Sequence, residues 1–160
     1  MTRTPATRDR LLLIGYGNPL RGDDGVGPRI VCRFARRHRG VVRACVVPQL
    51  VPELCALLAK HDAVIFVDAS AAGDGGCRLL PLECAAATNW GTHLCSPAAL
   101  VALTAELYGA KPRAWCLAVA GRDFRLGAGL SATARASCRE ALTILEAFMR
   151  LRSQSGWRHA

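Results

Sequence analysis

Short apolar runs alternate along the chain with longer segments in which apolar residues recur at helical spacing. Runs that are apolar at nearly every position are typical of strands covered on both faces, as in parallel sheets. The pattern predicts strands at residues 11–16, 41–47, 63–67 and 114–120, with a weaker strand at 78–82. The first three of these runs are therefore expected to be buried on both faces, and the run at 114–120 is expected to be a strong strand.

Helical segments lie between and after these strands. In the segment that follows Asp24, one face is apolar and carries Val26, Ile30, Val31 and Phe34. The opposite face is basic and carries Arg29, Arg33, Arg36 and Arg37. Such a division predicts a half-buried helix with a solvated arginine face, which could also dock a protein partner.

Three further helices are indicated. Residues 51–60 have helical spacing, and Ser96 followed by Pro97 is a helix-start signal whose helix would end at Gly109. Ser131 can cap the last helix, whose apolar stripe is Ala134, Cys138, Leu142, Leu145 and Met149.

The order of these elements predicts a single three-layer α/β domain, with a mostly parallel twisted sheet and helices on both faces. We place this domain at residues 10–151, between a flexible N-terminal segment, 1–9, and a C-terminal tail, 152–160. An apolar fraction of 51% in 160 residues is sufficient for one sizeable core.

Targeting signals are not recognisable in the sequence. No apolar run reaches the roughly 18 residues that a membrane-spanning helix needs. The first ten residues are polar and arginine-rich, unlike a secretory signal. We therefore expect a cytoplasmic protein without a membrane partner.

The net charge of +9 raises the possibility of nucleic-acid binding. All basic residues except Lys60 and Lys111 are arginine, a bias that genome composition also produces. No aromatic residues are interleaved with the arginines to stack on bases, so an RNA-binding domain is a disfavoured alternative.

Eight cysteines are present, but none forms a C-x-x-C pair. Because a cytoplasmic chain seldom keeps disulfides, we expect free thiols and no cysteine-bound structural metal. The cysteines are interpreted as small buried apolar residues.

The densest local signal is the glycine-rich segment 14–27, which joins the first strand to the first helix. Leu20 stands where a dinucleotide fingerprint would have its third glycine, which disfavours a nucleotide-dependent oxidoreductase. Asp23 and Asp24 lie at the helix start, where they suit a cation better than a phosphate. Either could instead be an ordinary N-cap, and a capping Asp23 would be replaceable by Asn at little cost.

Two further polar residues adjoin predicted elements. Asp68 follows a buried strand and is expected at the carboxyl edge of the sheet, although a turn-capping role is the alternative. His93 lies in a loop shortly before the Ser96 helix start, where a lone histidine is more often structural or solvated.

Together these segments resemble the maturation proteases of NiFe hydrogenases. Segment 15–27 fits the family motif G-x-G-N-x-L-x-x-D-D/E-x-x-G, and Asp68-Ala69 and His93 fit its second and third motifs in order and spacing. Further matches are Gln49, Leu50, Pro52, Glu53, Leu54, Gly121, Gly127, Leu130 and Ser131.

The resemblance implies that Asp24, Asp68 and His93 form a metal-binding and catalytic trio. It also implies an endopeptidase that removes the C-terminal peptide of a hydrogenase large-subunit precursor after nickel insertion. The nickel would belong chiefly to the substrate, with none permanently bound. Two carboxylates and an imidazole are borderline ligands suited to nickel or zinc. A non-catalytic scaffold of the same fold that checks for nickel is the principal alternative.

Overall fold

Five strands form one sheet in the order β2-β1-β3-β5-β4. In this computed structural model, which describes residues 11–71, 75–82 and 95–154, the strands are β1 (Leu11–Tyr16), β2 (Val42–Val47), β3 (Ala63–Ser70), β4 (Cys77–Pro81) and β5 (Arg113–Ala120). The first three and β5 are mutually parallel, and β4 pairs antiparallel with β5 at one edge. The predicted mostly parallel sheet is confirmed.

In the described part of the chain, four α-helices cover this sheet: α1 (Val26–Arg37), α2 (Cys55–Leu58), α3 (Pro97–Tyr108) and α4 (Ala132–Gln154). Short 3-10 turns, Gly22–Gly25 and Pro52–Leu54, precede α1 and α2. No helix within the described ranges is long and apolar enough to cross a membrane.

The sheet separates two apolar cores, one on each of its faces. Ile65 and Val67 of β3 pack into the core beneath α1 and α4. Val64 and Phe66 point to the other face and pack into the core beneath α2 and α3. Side chains of a strand alternate between faces, so a continuous apolar run is what a sheet covered on both sides requires.

The helix-end signals are confirmed at three positions. Ser96 Oγ accepts a hydrogen bond from the Ala99 amide at 3.1 Å, and Gly109 ends α3 with a φ of 64°. Ser131 Oγ accepts from the Ala134 amide at 3.0 Å and so caps α4. The apolar face of α1 is buried, and its four arginines are exposed, as expected.

Three parts of the chain differ from the prediction by more than one residue. β3 continues to Ser70 because β5 pairs with it to Ala120, so Asp68 lies within the strand rather than after it. The helix predicted at 51–60 is a 3-10 turn followed by the four-residue α2. α4 extends to Gln154, past the predicted domain boundary at 151, and Arg152 on its last turn is buried.

The cysteines differ in exposure. Seven of them lie in the described residues, all with free thiols. Cys55 is buried, as an apolar residue would be, and Cys32 is exposed on α1, which contradicts the interpretation for that residue. The other five are half-buried.

Candidate functional site

The loop after β1 brings the start of α1 directly onto the sheet. A Cβ atom on Gly15 would lie 2.6 Å from the carbonyl oxygen of Gly27, and one on Gly27 would collide with the carbonyl oxygen of Val67. Gly17 has a φ of 129°, which favours glycine, and a side chain there would strike the backbone of Asp24. These glycines allow the Gly22–Gly25 turn to lie over the carboxyl ends of β1 and β3.

Asn18 shapes the loop around the carboxylate of Asp24. The Asn18 amide donates to Asp24 Oδ2 at 2.6 Å, and Asn18 Oδ1 accepts from the Leu20 amide at 2.9 Å. Within the part of the chain that the structure describes, Oδ1 of Asp24 accepts no hydrogen bond. Asp24 is only partly buried. One oxygen is therefore held in place while the other remains available to a ligand.

Asp68 lies next to this loop, on the face of the sheet that α2 and α3 cover. It is two residues beyond Phe66 in β3, so its side chain leaves the same face. The Tyr16 hydroxyl at the end of β1 donates a hydrogen bond to the Asp68 carboxylate. Burial and the neighbouring Asp68 charge raise the pKa of Tyr16 far above its ordinary value, so the phenol stays protonated and acts as the donor.

Burial also raises the pKa of Asp68. Hydrogen bonds from Tyr16 and the Ala69 amide lower it, and the negative charge of Asp24 raises it again, which leaves the pKa of Asp68 above its ordinary value. The charge of Asp24 is the smallest of these influences on Asp68, and it places the two carboxylates within electrostatic reach of each other at the carboxyl edge of the sheet. Like charges within reach of each other are stabilised by a cation or a proton held near them.

Two of the three predicted site residues are thus brought together at the carboxyl edge of the sheet. The third, His93, lies outside the described residues, so its convergence with Asp24 and Asp68 stays a prediction. Among residues 11–71, 75–82 and 95–154, no group of three histidine, cysteine, aspartate or glutamate side chains is placed to hold a metal ion.

Asp23 has a different role from the one its position suggested. Its side chain is fully buried, and it does not cap the Gly22–Gly25 turn. Instead, Oδ2 accepts from the Arg122 amide at 2.6 Å, the Asp123 amide at 2.9 Å and Ser131 Oγ at 2.6 Å. Oδ1 accepts from the Ser131 amide at 2.7 Å. The interpretation of Asp23 as an N-cap is therefore wrong, because its acceptors are turned towards the segment that precedes α4.

We call this arrangement, formed by Asp23 with Arg122, Asp123 and Ser131, the Asp23 clamp. Burial raises the pKa of Asp23, but the hydrogen bonds from Arg122, Ser131 and Asp123 outweigh it and hold the pKa below its ordinary value. The Asp23 amide also donates to the Asp123 carbonyl oxygen at 2.8 Å. The clamp therefore fixes the Gly22–Gly25 turn, and with it Asp24, against the C-terminal part of the chain.

Two residues near the site were not identified from the sequence. Tyr16 stands between two glycines at the end of a buried strand, and that position alone could have marked it as a neighbour of Asp68. Cys116 on β5 lies beside Asp68, and burial followed by the Asp68 charge raises the pKa of its thiol to about 11. Cys116 is therefore a neutral thiol at physiological pH, a weak donor to a metal.

Comparison with known proteins gives a clear result at the level of structure. No family model and no curated protein sequence matches the chain. The hydrogenase maturating endopeptidase HybD from E. coli is 25% identical, with a TM-score of 0.68 over 88% of this chain and 92% of that one. An endopeptidase from Escherichia coli solved in solution is 26% identical, with a TM-score of 0.65 over 91% and 93%.

A more distant structure shows the same fold. The [NiFe] hydrogenase maturation protease HybD from Thermococcus kodakarensis is 19% identical, with a TM-score of 0.68 over 87% of this chain and 98% of that one. The single-domain α/β fold and the resemblance found in the sequence motifs are confirmed by these structures.

Proposed function

We propose that this chain, which has the fold of the hydrogenase maturation endopeptidases, removes the C-terminal peptide of a NiFe-hydrogenase large-subunit precursor after nickel insertion. The peptidase class inferred from the sequence agrees with the names of the similar structures. In this proposal nickel is cargo of the substrate, and the chain recognises it through Asp24, Asp68 and His93.

The pairing of Asp24 with Asp68 carries this proposal. Two carboxylates from elements far apart in sequence meet at the carboxyl edge of a parallel sheet, where α/β proteins bind their ligands. A glycine-lined loop holds one of them, and a tyrosine hydroxyl holds the other. Carboxylates at one sheet edge, one of them with an oxygen that accepts no hydrogen bond among the described residues, are donors that suit a cation, so the arrangement supports a cation as its ligand.

His93 would supply the third donor. Asp68 faces the side of the sheet that α3 covers, and His93 precedes the Pro97 start of that helix by four residues. Two carboxylates and one imidazole leave coordination positions open to ligands from the precursor. The chain would then bind only a precursor whose nickel is already in place, which positions the scissile bond.

Cleavage itself requires water to add to the carbonyl carbon of the scissile bond, after which the C–N bond breaks and the amine leaves with a proton. One of the two carboxylates, Asp24 or Asp68, is our candidate for the base that takes the proton from water, while the other stays a ligand to the nickel. Ser96 and Ser131 cap helices, so neither is proposed as a nucleophile.

The experiment that tests the function is incubation of the purified protein with nickel-loaded and nickel-free precursor, followed by mass measurement. We expect loss of the C-terminal peptide from the nickel-loaded precursor alone. Unchanged mass with a stable complex would identify the nickel-checking scaffold instead. Equal cleavage of both precursors would refute nickel recognition and leave a peptidase of another specificity.

A further inference from the structure

A basic groove runs between α1 and α4, on the face of the sheet opposite α2 and α3. It encloses about 770 Å³, within the range of ligand-binding pockets. Five arginines line it: Arg29, Arg33 and Arg36 from α1, and Arg135 and Arg139 from α4. Its remaining lining is largely apolar and includes Ile30, Leu130, Cys138 and Leu142.

None of these five guanidinium groups has a carboxylate partner among the described residues. Arg135 donates to the Leu130 carbonyl oxygen, which satisfies a hydrogen bond but not the charge. The acidic residues of α4 are directed elsewhere: Glu146 bonds to His38 at 2.9 Å, and Glu140 lies against Gly76. The charge of the groove is therefore uncompensated within the described chain.

Arginine residues are not distributed evenly over the helices on the two faces of the sheet. α1 and α4 contain four arginines each, whereas α2 and α3 contain none. A bias in base composition would scatter arginine over both faces of the sheet. Five of these eight arginines line the groove, and like charges at helical spacing repel one another slightly, which a ligand of opposite charge would relieve.

We infer that the groove binds an acidic peptide segment of a protein partner. Guanidinium groups pair with carboxylates in two-pronged geometry, and the apolar lining would receive leucine-like side chains between the acidic ones. No aromatic residue lines the groove among the residues that the structure describes, so those residues give single-stranded nucleic acid no stacking platform.

The groove also has a defined relation to the carboxylate site. α1 and α4 both begin at the carboxyl edge of the sheet, and Leu130 precedes the Ser131 of the Asp23 clamp. A segment lying along the groove would therefore leave it near the edge that carries Asp24. That the partner is the hydrogenase precursor depends on the proposed function, whereas the preference for an acidic peptide does not.

The test uses the full chain and a fluorescent peptide of about ten residues that combines glutamate pairs with leucine. Anisotropy should show binding that weakens about tenfold in the double variant Arg33→Gln/Arg139→Gln. The matched control is Arg43→Gln/Arg150→Gln, which removes the same charge from exposed positions outside the groove and should change binding less than about twofold.

Two further ligands complete the test. The same peptide with Gln in place of Glu should bind at least about tenfold more weakly, and a thymidine oligonucleotide should be unaffected by the groove variant. The inference is overturned if both double variants weaken binding equally, or if the oligonucleotide loses affinity with the groove arginines as the peptide does. A protein that binds the peptide but trims no precursor would refute the proposed function and leave the groove intact.

Discussion

Asp23 and Asp24 are neighbours in sequence and differ completely in environment. Asp23 is fully buried and accepts four hydrogen bonds from Arg122, Asp123 and Ser131. Asp24 is partly exposed, accepts one hydrogen bond from Asn18 and interacts with the charge of Asp68. Both oxygens of the Asp23 carboxylate therefore accept hydrogen bonds from the protein, whereas one oxygen of Asp24 accepts none among the described residues.

This difference separates stability from recognition at the level of single residues. A buried carboxylate surrounded by donors contributes to folding, and its loss leaves those donors unpaired. A carboxylate beside another carboxylate contributes nothing to folding by that contact and gains from an external cation. The proposed site contains Asp24 and Asp68, which are carboxylates of the second kind, and Asp23, a carboxylate of the first kind, holds Asp24 in position.

The largest expected effect is on cleavage by variants of the three proposed nickel ligands. Asp68→Asn, Asp24→Asn and His93→Ala should each lower nickel-dependent cleavage by more than about 100-fold, because removing a ligand costs more than disturbing its support. Circular dichroism and thermal melting of each variant should stay close to the parent. Cleavage at the parent rate by the Asp68 and His93 variants would remove the metal-recognition hypothesis.

Asp24→Glu is the matched control for that loss. The family motif accepts either acid at this position, so cleavage should be retained within about tenfold. A complete loss in Asp24→Glu, with the fold intact, would show that the shorter carboxylate of this chain sets the reach to its metal.

The second largest effect is expected for Asp23, and it is a loss of stability and not a loss of cleavage. Asp23→Asn should lower the free energy of unfolding by about 2–3 kcal/mol, since the amide nitrogen would face donors in place of an acceptor. This corrects the expectation of a small cost that an N-cap would have. Urea denaturation of Asp23→Asn and Asp24→Asn measures both, and equal stability of the two variants would contradict the clamp.

The same clamp predicts a direction with pH. A depressed pKa means that the folded state holds the Asp23 proton less tightly than the unfolded state. The stabilisation is then fully present above the unfolded pKa of an aspartate and is lost as the pH falls through the lower, folded pKa. Asp23→Asn should therefore weaken the dependence of stability on pH in the acid range.

A smaller effect is expected from Tyr16→Phe. The Tyr16 hydrogen bond lowers the pKa of Asp68, so its loss should raise that pKa further and keep the proton on Asp68 to higher pH. Cleavage on the acid side of the pH profile should fall by about threefold to tenfold, and the acid limb of the profile should move to higher pH. An unchanged profile would show that the tyrosine hydroxyl does not support the carboxylate.

The smallest effect is expected on the stability of variants of the exposed arginines of α1. Replacing Arg33 and Arg37 by Gln should change the free energy of unfolding by less than about 0.5 kcal/mol, because both side chains are exposed and repel each other at helical spacing. Differential scanning calorimetry measures this. A large drop in melting temperature would place these arginines in stabilising networks.

The fold could be predicted from the sequence because its signals are local. Apolar runs mark β1 and β5, Ser96 and Gly109 mark both ends of α3, and alternating elements imply a parallel sheet. The Asp24 and Asp68 pair could also be predicted, since residues at the carboxyl ends of adjacent parallel strands meet at one edge. Their order in the motif matched a family whose fold the structure confirms.

The Asp23 clamp could not be predicted in the same way. Its hydrogen bonds join residues 99 to 108 positions apart, and no periodicity relates Asp23 to Ser131. Ser131 was correctly identified as a helix cap from its position before α4. The hydrogen bond that its hydroxyl also donates to Asp23 cannot be inferred from local sequence spacing. The extension of β3 past Asp68 was missed for a related reason, because it depends on pairing with β5.

The separation of the clamp's two halves also sets the order in which the molecule can be assembled. During synthesis, β1 and Asp24 are made about 100 residues before Ser131. Closing so long a loop is slow compared with forming a helix or pairing β1 with β2. The carboxylate proposed to meet nickel therefore reaches its final position only once the last helix has docked, so an unfinished chain has no completed site with which to capture a metal.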